Sequence, residues 1–196
     1  MFLNKARFKK LVKSAFNTCG LTVGQIYGGL VISGNIWTTW TEEGYVPNWV
    51  KAAVMEYTGE LPKQGCVFKA KKDAPIQYEI AKNLYYDLPS RFLEARHPFV
   101  VTPIVYDESW NQYRFLQNKS TKELIAVDTN LYDVLDMAEL GDENRPTGPS
   151  SASLSGDSLI WKNEHSALAI YKLNISGDSL DVMNLLKTYS FEEEWV

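Results

Sequence analysis

The chain has 196 residues, 45% of them apolar and 22% charged, and a formal net charge of −4. That composition suits one compact domain or two small ones with a real core, and it excludes disordered and collagen-like classes. No run of eighteen apolar residues offers a membrane span. Two distant cysteines (Cys19 and Cys66) give no disulfide framework, and the start MFLNKARFKKLVKSAF is too charged for a secretory leader, so a cytoplasmic protein without membrane contact is expected.

The charge is divided unevenly. Residues 1–98 hold 13 Lys/Arg against 8 Asp/Glu, a balance of +5, and residues 99–196 hold 7 against 16, a balance of −9. Such a split fits either a nucleic-acid-facing part beside one that avoids it, or two packed halves that attract each other.

In chain order, Asn4 is a helix cap and Gly20 a stop, so a helix is expected from there to about Thr18. At about 100° per residue, Phe8, Leu11, Val12, Ala15 and Phe16 share one face, while Arg7, Lys9, Lys10 and Lys13 share the other. LTVGQIYGGLVISGNIWTTWTEEG, with turn signals at Gly28-Gly29 and Gly34-Asn35, reads as three antiparallel strands. Trp37 and Trp40 are three apart on the last of these and face opposite sides.

A helix follows, with Pro47 near its start and Gly59 at its end, then a hairpin through CVFKAKKD and IQYEI. A short helix is expected from about Pro89, then strands in FVVTPIVYDE, NQYRFLQNK and KELIAVD, then a helix after Thr129. The Gly/Pro/Ser-rich stretch at about 141–158 reads as a flexible loop. SLIWKNEHSALAIYKLNI reads as a hairpin, and SLDVMNLLKTY as a final helix with Val182, Leu185 and Leu186 on one side. One unit occurs twice, 81 residues apart: Val46, Val50, Ala53 and Val54 have the offsets of Val127, Leu131, Val134 and Leu135. The expected fold is therefore α+β, with duplicated units of helix and antiparallel sheet, one over 1–85 and one over 86–196.

Candidate chemistry is sparse. The tetrapeptide GDSL occurs at 156–159 and 177–180, but neither Ser158 nor Ser179 is followed by Asp-x-x-His, and only His97 and His165 exist to serve as a base. A turn leading into a helix cap accounts for Gly-Asp-Ser equally well. Lone histidines and separated cysteines supply no zinc spacing, and Gly28-Gly29 lacks the Lys-Ser/Thr of a phosphate loop. No catalytic residue, metal or cofactor is expected. The basic face of Arg7, Lys9, Lys10 and Lys13 is the candidate DNA-binding surface, against the plainer reading of a solvated helix face.

The order helix, three strands, helix, hairpin, and a similar second half resembles the DNA sliding-clamp fold. The likeness is carried by NKARFKKLVKSAF, GLVISG, VPNWVKAAVMEYTGELPKQGCVFKA and ELIAVDTNLYDVLD. It implies helices on an inner surface, sheets outside, and a non-enzymatic docking or processivity factor that meets duplex DNA without sequence preference. The chain departs from that pattern in its acidic second repeat helix, after Thr129, with Asp133, Asp136 and Glu139, which would repel DNA. It also has room for only two reduced domains. The brevity is similar to accessory proteins of phages and mobile elements. That gives the alternative of an interaction protein that inhibits or decoys a replication or defence complex through Asp133, Asp136 and Glu139. Closure into a ring is left open.

Overall fold

The computed structural model describes residues 1–79, 84–108, 111–136 and 146–191. Helix α1 (Lys5–Asn17) begins where expected, because the Asn4 side chain accepts the Arg7 backbone N–H at 3.1 Å. The meander of β1 (Leu21–Ile26), β2 (Gly29–Ser33) and β3 (Trp37–Glu42) follows. Its first turn is Tyr27-Gly28, one residue earlier than the Gly-Gly pair suggested. Both turn residues have positive φ (53° and 69°), the geometry that matches the twist of paired strands. Helix α2 (Asn48–Thr58) is ended by Gly59 in the left-handed region, and β4 (Val67–Ala70) and β5 (Gln77–Glu79) form the next hairpin.

After α3 (Leu88–Glu94) come β6 (His97–Glu108), β7 (Asn111–Asn118), β8 (Leu124–Asp128) and the single turn α4 (Thr129–Tyr132), capped by the Asp128 side chain on the Asn130 N–H at 2.7 Å. Then β9 (Thr147–Ser151), β10 (Ser158–Lys162), β11 (Ser166–Tyr171) and α5 (Asp178–Leu186) complete the described elements. They build one sheet in the order β5-β4-β1-β2-β3-β11-β10-β9-β6-β7-β8, with neighbouring strands antiparallel.

Within that order the duplication is visible as topology. In the first unit β4 returns beside β1 to give β4-β1-β2-β3, with α2 between β3 and β4. In the second β9 returns beside β6 to give β9-β6-β7-β8, with α4 between β8 and β9. All eight equivalent apolar residues, Val46, Val50, Ala53, Val54, Val127, Leu131, Val134 and Leu135, are buried.

Helices α1, α2 and α4 cover one face of the sheet. Phe8, Val12, Val50, Val54, Leu131 and Val134 meet strand residues from both units in a continuous core. On the opposite face α3 covers Trp40, Ile160 and Ala169, and α5 covers Phe115, Leu124 and Ala126. Trp37 and Trp40 do fall on opposite faces. The two units are also joined at the chain's start: Asn4 N–H donates to the Val134 carbonyl at 2.7 Å, and Asp136 N–H donates to that of Phe2 at 2.8 Å.

Two local expectations change. Residues 147–151 form strand β9 rather than loop, while 141–145 lie outside the described residues. Gly148 makes this possible, since a Cβ there would stand 2.4 Å from the Ile160 carbonyl oxygen of the neighbouring strand. On α5 the packed stripe is Val182, Met183 and Leu186, and Leu185 is 68% exposed.

Candidate nucleic-acid interface

Helix α1 rests on the core through Phe8, Val12 and Ala15. Its outward side carries Ala6, Lys10, Lys13, Ser14 and Asn17. Phe8 meets Trp49 at 5.7 Å between ring centroids and Phe16 meets Tyr57 at 5.3 Å. Equal eight-residue steps along both helices mean that α1 and α2 lie side by side and parallel.

The four candidate cations are therefore not equivalent. Lys10 and Lys13 are exposed in the middle of the free face, and Lys9 is half-buried on one flank. Among the described residues none of these three lysines has an ion-pair partner. Arg7 is on the other flank, where its Nη1 donates to Asp133 Oδ2 at 2.7 Å. The first candidate cation and the first candidate anion of the sequence thus pair with each other and link α1 to the end of α4.

Asp133 caps the C-terminus of α4 rather than lying on an extended helical surface. Beside it Tyr132 lies under the Arg114 guanidinium, 4.5 Å from the ring centroid, and burial pushes its hydroxyl pKa up against the opposing pull of Arg114. Asp136 lines a recess of about 430 Å³ with residues 1–6 and Trp49. Glu139, the third candidate anion, lies outside the described residues. The acidic groups Asp133 and Asp136 therefore stand at the N-terminal end of α1.

The C-terminal end of α1 has the opposite character. Lys72 N–H donates to the Phe16 carbonyl at 3.0 Å, which places the β4–β5 turn, with exposed Lys71 and Lys72, against the last turn of the helix. Lys69 passes across Gly20, its Cε 2.5 Å from where a Cβ would stand. The run Lys-Ala-Lys-Lys at 69–72 is the sequence signal for these cations, but it carries no indication of its neighbour.

The other candidates are each held by neighbours from distant parts of the chain. Ser158 accepts from Arg91 Nη2 at 2.8 Å, and Ser179 is buried and donates to Glu108 Oε2 at 2.5 Å; neither serine is bonded to a histidine. His165 is held by Glu42 at 2.7 Å and stacked on Tyr45. Among the described residues no three His, Cys, Asp or Glu side chains converge on a point where a metal would sit. An open groove of about 460 Å³ runs between β8 and α5, lined by Leu124, Ala126, Leu154, Leu173, Leu180 and Met183. No described helix is long and apolar enough to cross a membrane.

No protein-family model matches the chain, and no curated protein matches it. Among solved structures it is weakly similar to the β chain of DNA polymerase III from Streptococcus pneumoniae TIGR4, at 7% identity and a TM-score of 0.32. That alignment covers 92% of this chain and 66% of the other, so the chain spans less than two thirds of its length.

Proposed function

We propose that this chain is a non-enzymatic docking or processivity factor that contacts the backbone of duplex DNA through α1. The observation that carries the reading is the free face of that helix. Lys10 and Lys13, with Lys9 on the flank, project from a helix fixed to the core and have no carboxylate partner among the described residues. Fixed cations on a rigid element release counterions from a phosphate backbone without reading sequence.

Arg7 enters this reading as a strut to Asp133 that duplex DNA would have to compete for. The test is duplex binding by the full chain across a salt series. Binding that weakens steeply with salt, and falls at least ten-fold at low salt in K10E/K13E, supports the reading. No binding of any duplex at about 50 mM salt, where phosphate contacts are strongest, overturns it.

A further inference from the structure

The cations of α1 continue past the helix. Phe16, which meets Tyr57 of α2, lies on the Lys9–Lys13 side of α1. Its carbonyl is the one bound by Lys72 N–H. Lys9, Lys13 and the turn bearing Lys71 and Lys72 therefore follow one another along a single flank. Lys9 and Lys13 are about 6 Å apart along the axis, and the turn follows one helical turn later.

We propose that Lys71 and Lys72 form one phosphate-binding track with Lys9, Lys10 and Lys13, so that a duplex backbone is held jointly by α1 and the β4–β5 turn. The inference rests on the DNA-binding reading of α1 and gives it a direction. The track leaves the N-terminal end of α1, where Asp133 and Asp136 stand, and runs toward its C-terminal end. The neighbouring elements also carry acidic residues: Asp73 in the same turn, Glu56 on α2, Glu60 just past α2, where it accepts from the Tyr78 hydroxyl of β5, and Asp128, whose side chain is engaged in capping α4. Five cations on the track outweigh them.

A duplex suits the track better than an anionic bilayer or a single strand. The exposed positions of α1 are Lys, Ala, Ser and Asn apart from Arg7 and Thr18, and the turn reads Lys-Lys-Asp-Ala, so no large apolar side chain is presented for insertion among acyl chains. Phe16 is half-buried against Tyr57 and offers no free ring on which an unpaired base would stack. Lys69 is half-buried across the end of α1, where a cation complements the helix dipole, and it is left out of the track.

The experiment compares the full chain with K71Q/K72Q and K10Q/K13Q. It reads duplex affinity over a salt series, with thermal unfolding as the check on folding. Each phosphate left without its lysine lowers the slope of log affinity against log salt by about 0.9, so K71Q/K72Q is expected to lower it by about 1.8 while unfolding at the wild-type temperature. A slope unchanged in K71Q/K72Q but lowered in K10Q/K13Q overturns the joint track and leaves the α1 reading standing. A wild-type chain that binds no duplex overturns both. Binding to vesicles rich in phosphatidylserine at salt where duplex is not bound also overturns the track.

Discussion

Arg7 stands between two uses of its charge. With side-chain exposures of 48% for Arg7 and 31% for Asp133, their ion pair is well solvated despite the 2.7 Å separation. A double-mutant cycle with R7A and D133A is expected to give a coupling of about 0.2–1 kcal/mol that shrinks with added salt. A coupling of several kcal/mol would show that the pair is desolvated in a way its exposure does not suggest. Asp157 behaves differently. The Lys172 ammonium at 2.5 Å, helped by the Ser155 and Ser153 hydroxyls, holds its carboxyl below the ordinary value of 3.8. A depressed folded-state pKa contributes stability above the unfolded value, and that contribution disappears as pH falls through the folded one. The unfolding temperature of the wild type should therefore exceed that of D157N slightly near pH 6, and the two should converge as pH falls through 3.8 and below the depressed folded-state value. A gap that stays constant through the acid range would remove the carboxylate's charge from the account.

At the scale of elements, the contrast is between α1 and α5. Phe8 is fully buried and meets Trp37 and Trp49 edge to face at 5.9 and 5.7 Å, so F8A is expected to cost about 3–5 kcal/mol in denaturant unfolding. By comparison α5 buries only Ser179 completely and leaves Leu180 and Leu185 exposed. Its amides should exchange with solvent faster than those of α1, and equal protection would mean that α5 has a stronger anchor than Val182, Met183 and Leu186.

The same contrast explains what is legible in the sequence. Helix α1 can be read because cap, apolar period and stop agree at Asn4, Phe8/Val12/Ala15 and Gly20. Strand β9 cannot, because Thr147, Gly148, Pro149 and two serines carry no alternating apolar signal; its pairing with β6 and β10 makes it a strand. Leu185 falls on the wrong side because a short helix with apolar residues at 182, 183, 185 and 186 has two possible stripes, and only the position of β8 chooses between them. For the candidate site, each lysine is visible but its company is not. The Arg7–Asp133 pair and the Lys72–Phe16 bond join residues 126 and 56 positions apart, and local periodicity has no access to such distances.

Across the whole molecule, one continuous core draws on α1, α2, α4 and strands from both repeats, and β3 is paired with β11 near the middle of the sheet. The expected outcome is a single unfolding transition seen alike by tryptophan fluorescence and far-ultraviolet circular dichroism. A fragment comprising residues 1–85 should not fold alone, since it would leave β3, where Trp37 lies opposite Ile170, without its neighbour β11 and would cut through the shared core. Two resolved transitions would instead make the repeats separate folding units.

The pairing of the first residues with the segment after α4 also sets an order of events during synthesis. Phe2 and Leu3 are 1% and 5% exposed, and the backbone partners of residues 2–4 are Asp136, Leu135 and Val134. At about 5–20 residues per second, those partners leave the ribosome roughly 7–26 s after the segment they hold. For that interval the start of the chain waits with its apolar side chains uncovered. A bulky fusion placed immediately before Met1 would act during this wait, and its effect should appear in the yield of folded protein before it appears in the stability of the finished molecule.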